Sequence, residues 1–290
     1  MLSNRQRFWF LVLPGAGFLV VFLVLPLVSI VVFSFWRTES YTMIREWNIA
    51  NYTVLFTDWT YIKFLLRSLG MASIVSLVAL IYAWPVALFI ARHGGRFKLI
   101  FLLLTSAPFL TGEILRVTAL QQILGPIGVI NMALGNFGFE PIEALMYTST
   151  ATAIGLTYLW IPFMVLAIYL SLLNFDFELL EVAKVNGARP LRAFWEITWP
   201  LNRAGSAIGV VLVFIPTLAS TITSQFLGGP DGALYGNILA HQFGATGTWA
   251  FGSAMGVVLF AISLIVLYIV WKSVGDLRRS GVTIKGAGEL

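Results

Sequence analysis

The chain has no cysteine and only two histidines among 290 residues. Disulfides and thiolate metal sites are therefore excluded. His93 and His241 stand far apart and no H-E-x-x-H pattern exists, so metal or protease chemistry has little to work with. The phosphate-cradling pattern G-x4-G-K-[ST] is also missing. Charge is scarce: 11% of residues are charged, against about a quarter in an average soluble domain. What fills the chain instead is apolar. Hydrophobic residues make up 59% of it and mean hydropathy is +0.88, the composition of a polytopic membrane protein.

Crossing about 30 Å of hydrocarbon takes roughly 20 apolar residues in a helix. Six stretches qualify: about Phe10–Phe33, Leu69–Ala91, Leu99–Val117, Ala151–Leu172, Ser206–Phe226 and Phe251–Val270. The third is the weakest, since Glu113 and Arg116 sit near its end. The first follows Arg5 and Arg7, as a signal peptide would. Its run is too long for a signal h-region and lacks an A-x-A cleavage site, so it is expected to be a membrane helix of the mature protein. Trp9 and Trp36 bracket the first span, and Trp249 and Trp271 the sixth, as indoles at the headgroup level do.

Lysine and arginine counts set the expected orientation. With the N-terminus inside, segments 1–9, 92–98, 173–204 and 272–290 face the cytoplasm and hold 13 of the 18 basic residues. Arg37, Arg45, Lys63, Arg67 and Arg116 fall outside. Acidic residues split six inside and seven outside, giving net charges of +7 and −2. The expectation is an all-α membrane protein, one domain over residues 1–290, with six helices and both termini cytoplasmic.

Three outward segments are long. Within 37–66, Phe56, Tyr61, Phe64 and Leu65 suit an interfacial helix. Segments 118–147 and 227–248 are rich in Gly and Pro, which predicts short helices and turns. Pro26, Pro85, Pro108, Pro162 and Pro216 fall within or near the ends of five successive spans. Prolines are ordinary in membrane helices, yet five potential kinks suit a bundle that bends around a cavity.

The one polar insert among the late spans is Glu178–Pro200, ELLEVAKVNGARPLRAFWEITWP, within the cytoplasmic loop 173–204. Asp176 is a plausible N-cap for a helix over about 177–186, with Glu178 in its first turn. Asn186-Gly187 supplies a left-handed stop. Pro190 suits the start of a second helix that runs to about Ile197, after which Pro200 redirects the chain to span five. Leu180, Ala183 and Gly187 share one face of falling bulk, which lets another backbone approach, and Glu181 lies beside it. Composition alone suits an amphipathic connecting loop equally well.

Spacing adds to this reading. Glu181, Ala183, Gly187, Ile197 and Pro200 stand as E-x-A-x-x-x-G-x9-I-x-x-P. The stretch resembles the EAA motif of ABC importer permease subunits, commonly E-A-A-x-x-x-G-x9-I-x-L-P, with Val182 and Trp199 as apolar departures. NYTVLFTDWTYIKFLLRSL before span two, the PF-x5-LR pattern at Pro108–Arg116, ILGPIGVIN at 123–131, and GNILAHQF with WAFGSA within 236–254 are similar to the spermidine/putrescine-type subfamily. The resemblance implies a type I ABC importer permease fold in the bacterial inner membrane. It implies that Glu181, Ala183, Gly187, Ile197 and Pro200 couple to cytoplasmic ATPase subunits. A second homologous permease and an extracytoplasmic solute-binding protein are implied as further partners. The chain would then carry no cofactor, ATP being bound by a partner subunit, and would be neither an enzyme nor a nucleic-acid binder.

Polyamine is the solute that the subfamily implies; aminoethylphosphonate, opine, ferric iron or sulfate permeases share parts of the pattern. Ionisable groups near the membrane invite a functional reading. Glu113 can meet a cationic amine, or pair with Arg116 at i+3. Trp84, Tyr158 and Trp160 can line a path for an organic cation, or simply pack. Asp231 and Glu143 suit solvated loops. A secondary transporter or channel independent of ATP would show stronger internal symmetry, and an intramembrane enzyme would need clustered His, Asp or Glu; neither pattern is visible.

Overall fold

The computed structural model describes residues 4–39, 41–140, 142 and 145–279. Glu143 and Lys285 lie outside the described residues, as do the side chains of Arg5, Arg7, Trp9, Arg278 and Arg279. Among the described residues, six helical stretches are long and apolar enough to cross a membrane: Val12–Ser34, Trp59–His93, Glu113–Asn136, Ser149–Leu172, Pro190–Leu218 and Trp249–Val274. The chain divides into two compact units, one of residues 1–63 with 238–262 and one of 64–237 with 263–290.

The first unit begins with α1 (Asn4–Leu19), a π-helical turn (Val20–Val24) and α2 (Leu25–Ser34). Asn51 holds the end of α2, its amide donating to the carbonyls of Ser34 and Trp36 at 2.8 Å each. The chain is not wholly α. Arg37–Glu39 (β1) pairs antiparallel with Thr42–Ile44 (β2), in register Thr38 with Met43, around Tyr41 at φ 66°. The Thr38 hydroxyl accepts from the Ala250 amide at 3.1 Å, near the start of α13 (Trp249–Arg279).

The expected interfacial helix is split. Phe56 belongs to α3 (Ala50–Thr57), whereas Tyr61, Phe64 and Leu65 belong to α4 (Trp59–His93), ten residues longer at its start than span two predicted. Asp58 causes the break. Its backbone is extended and its carboxylate caps the Thr60 amide at 2.8 Å.

The second unit is built around α4, α8 (Ser149–Leu172) and α11 (Trp199–Leu218). Ala72, Val75, Ala79, Ala83 and Ala87 form a fully buried stripe of small side chains on α4. Gly205 and Gly209 do the same for α11, whose backbone comes close to Ala167, Ser171 and Met164 of α8. Lipid offers no hydrophobic drive between helices, so close approach and dispersion must supply it. Tyr235, at the start of α12 (Tyr235–Phe243), is fully buried, which raises its phenol pKa above the ordinary value. Its amide donates to the Ser68 hydroxyl at 2.8 Å.

The third span departs from the expected helix over 99–117. It is interrupted: α5 (Lys98–Ser106) and a 3-10 turn (Ala107–Leu110) end at extended Thr111 and Gly112, and α6 (Glu113–Leu124) then starts afresh. Glu113 thus opens a helix instead of ending one, in the first turn where an acid favours the dipole. Beyond it, α7 (Val129–Asn136) is one of the short helices expected in 118–147.

The second helix of the insert does not end near Ile197. α10 (Pro190–Ala193), a π turn (Phe194–Thr198) and α11 form one helical run from 190 to 218. Proline lacks an N–H and its ring crowds the preceding turn; the wide turn relieves this, with the Trp199 amide reaching the Phe194 carbonyl. A π turn at 20–24 likewise stands two residues before Pro26, with the Leu25 amide reaching the Val20 carbonyl.

A β-carbon at Gly205 would lie 2.3 Å from Ser171 Cβ and 2.9 Å from the Ala167 carbonyl. Gly205→Val is expected to destabilise the unit by about 1–3 kcal/mol through overpacking. Gly70→Ala, with no heavy atom within 4 Å of the added carbon, should leave stability unchanged or slightly raised. Thermal unfolding of the detergent-solubilised protein, followed by size exclusion, checks both.

Candidate functional site

The polar insert forms α9 (Glu178–Val185). The Asp176 carboxylate accepts the Glu178 amide at 2.9 Å, although the N-cap position falls one residue later than expected, at Phe177. The stop is a Schellman motif. The Gly187 amide donates to the Lys184 carbonyl and the Ala188 amide to the Ala183 carbonyl, at 3.0 and 2.9 Å. Gly187 has φ +81°, and nothing lies within 4 Å of where its Cβ would be. Glycine is needed there for its backbone and not for space within this chain.

Two faces of α9 differ. Leu180 and Ala183 turn toward the chain's own core; Ala183 is buried. Leu179, Val182 and Val185 point away, and the last two are 59% and 88% exposed. Glu181 accepts from Arg92 Nη2 at 2.5 Å, joining α9 to the last turn of α4. Both side chains are over a third exposed, and such pairs contribute about 0–1 kcal/mol. Ile197 packs against the core from within the π turn, and Pro200 is exposed at the second position of α11. Arg92 escaped sequence reading: it lies 89 residues from its partner and no motif links them.

The four residues expected on a solute path separate. Trp84 is buried among the side chains that follow α9, with ring centroids 5.1 Å from Phe194 and 5.6 Å from Trp199. Its structural place is thus beneath the polar insert. Glu113 is half-buried and accepts from the Thr223 hydroxyl at 2.9 Å. The alternative i+3 pairing with Arg116 does not form. Arg116 is 9% exposed and its guanidinium lies over Phe109, 5.2 Å from the centroid. Its Nε has no partner among the described residues.

From Phe109 an aromatic row continues to Phe163 at 4.7 Å and Trp160 at 5.6 Å. Thr223 also approaches α8, since a β-carbon at Gly155 would sit 3.0 Å from its methyl. Tyr158 stands three residues further along α8 and is 38% exposed. Glu113, Thr223, Tyr158 and Trp160 are therefore carried by neighbouring elements, while Trp84 belongs to the other site. Thr223 was missed because a hydroxyl 110 residues away leaves no sequence signal. Asp231 is exposed, as a solvated loop acid should be.

No protein-family model matches the chain. The spermidine/putrescine transport system permease protein PotB of Escherichia coli (strain K12) is 34% identical over 260 residues, covering 89% of this chain and 94% of that protein. PotB of Salmonella typhimurium (strain LT2) is 32% identical over 276 residues, covering 94% and 96%. Among solved structures, a bacterial alginate ABC transporter in complex with an alginate pentasaccharide-bound periplasmic protein contains a similar chain. Its TM-score is 0.68 at 16% identity, over 92% of this chain and 94% of that one. The fold is that of an ABC transporter permease, and the chain belongs to the family of spermidine/putrescine transport system permease proteins.

Proposed function

We propose that this chain forms half of an ATP-driven import path for a polyamine, with spermidine or putrescine as the solute. The carrying observation is 32–34% identity along nearly the whole length of permeases named for those solutes. The orientation proposed has both termini in the cytoplasm, supported by the excess of Lys and Arg on that side. A second homologous permease completes the path, and an extracytoplasmic binding protein delivers solute to the segments 37–66, 118–147 and 227–248. ATP is bound by cytoplasmic ATPase subunits and not by this chain.

On this reading α9 docks on an ATPase through Leu179, Val182 and Val185, the apolar side chains that this chain leaves bare. Glu181, Ala183, Gly187, Ile197 and Pro200 then transmit motion from behind that face. Glu181 passes it to α4 through Arg92, and the helical run 190–218 passes it to α11. The path residues are Glu113, Tyr158 and Trp160. A carboxylate bonded to a neutral hydroxyl remains available to an ammonium group, and the aromatic faces of Tyr158 and Trp160 add cation–π attraction.

Uptake of labelled spermidine by cells lacking other polyamine importers tests the solute. Uptake that needs this chain and its ATPase supports it; transport of another solute with none of spermidine overturns it. Glu113→Gln should weaken apparent spermidine affinity about tenfold, the loss of one charge-assisted hydrogen bond. For the coupling face, Val185→Glu should abolish co-purification of the ATPase while the chain still inserts. Gly187→Ala should reduce coupled uptake, because a left-handed L-residue costs roughly 1–2 kcal/mol. Gly187→Asn should be milder, since Asn tolerates that backbone. Equal effects of Ala and Asn would contradict the conformational reason.

A further inference from the structure

A cleft of about 690 Å³ opens beside α4, lined by Leu77, Leu80, Ile81, Trp84, Pro85, Leu88, Phe194, Trp195 and Trp199. Every lining side chain is hydrocarbon or aromatic. From Leu77 to Leu88 it follows α4 for about 16 Å at 1.5 Å per residue. One leaflet of a bilayer core is about half of 30 Å. The cleft therefore has the length of an acyl chain lying in a single leaflet.

Its composition changes at one end. Leu88 and Phe194 also line a second, polar cavity of about 240 Å³ that includes Arg92, Glu181 and Lys184. Arg92 is paired with Glu181, and Lys184 makes no ion pair among the described residues. The polar cavity thus holds one uncompensated positive charge, one helical turn beyond the apolar cleft. Trp195, 56% exposed, stands at this junction, the level that indoles prefer in a bilayer. Trp84 is 95% buried in the cleft wall, and its Nε1–H has no acceptor among the described residues.

We infer that this composite cavity binds one anionic phospholipid, with an acyl chain along Leu77–Leu88 and its phosphate at Lys184 and Arg92. Charge complementarity favours a lipid with net negative charge over a zwitterionic one, as basic pockets between membrane helices do. A phosphate oxygen there competes for Arg92 with the Glu181 carboxylate. The occupant would therefore bear on the contact that joins α9 to α4. A segment of a second permease is the other chemistry that could fill an apolar cleft.

The test uses the complete importer, this chain co-expressed with its partner subunits, reconstituted in equimolar phosphatidylglycerol and phosphatidylcholine. One lipid at a time carries a photoactivatable acyl chain, and labelled peptides are mapped by mass spectrometry. Labelling within 77–88 and 194–199 is expected, about fivefold stronger from phosphatidylglycerol. Lys184→Gln should bring that ratio toward one, and Ile81→Trp should cut labelling by both lipids. Equal labelling by the two lipids, insensitive to Lys184→Gln, would overturn the proposal. So would labelling spread evenly over all six spans. A photo-crosslinking amino acid at position 81 that captures the second permease, with no lipid adduct, would assign the cleft to a subunit interface. None of these failures touches membership of the permease family, because the readout is independent of transport.

Discussion

Hydrocarbon offers no hydrogen bonds, so each backbone amide and carbonyl at membrane depth must be paired within its own helix. Most of this structure follows from that demand. It makes the spans helical, and it makes proline expensive wherever it falls. The chain answers two of its prolines in one way. π turns at 20–24 and 194–198 each end two residues before Pro26 or Pro200. Widening the turn makes room for the ring and lets the preceding amide reach one residue further back. Pro108 is met differently, by a 3-10 turn followed by extended residues, and there the helix ends.

The difference between these two answers has mechanical consequences. Because the turn before Pro200 keeps its hydrogen bonds, residues 190–218 make one helical run from the polar insert deep into the bundle. On the proposed coupling role, a displacement of α9 would be felt along α11, whose glycines lie close against α8. At Thr111 and Gly112 the opposite holds. A break places Glu113 in the first turn of α6, within hydrogen-bond reach of Thr223. Regular helix carries force, and interrupted helix presents a side chain.

The parts of this structure that were legible beforehand were local. Apolar runs long enough for a bilayer marked six spans, and the caps of α9 were readable because Asp176, Gly187 and Pro190 each act within a few residues. The hairpin at 37–44, the split at Asp58 and the restart at Glu113 were not. Each depends on one capping or extended residue inside a segment whose composition suits a helix. The partners of the two acids were invisible for another reason. Arg92 and Thr223 reach Glu181 and Glu113 across 89 and 110 residues, and single hydrogen bonds leave no periodic trace. Trp84 shows the limit of residue type as evidence. An indole in a span suits a cation path and a packed core equally, and here its neighbours are Phe194 and Trp199.

On the proposed path and coupling roles, each acid needs a partner that it can exchange. Had Glu113 paired with Arg116, its charge would have been cancelled and a passing ammonium would have had to displace a guanidinium. Arg116 is instead held over Phe109, and a threonine hydroxyl, which leaves the negative charge whole, takes its place. Glu181 does meet an arginine, but at an exposed position where the pair contributes only about 0–1 kcal/mol. A contact that weak orients α9 against α4 without locking it. Under the proposed mechanism the pair positions α9 on α4, and the helical run 190–218 supplies the second connection, to α11.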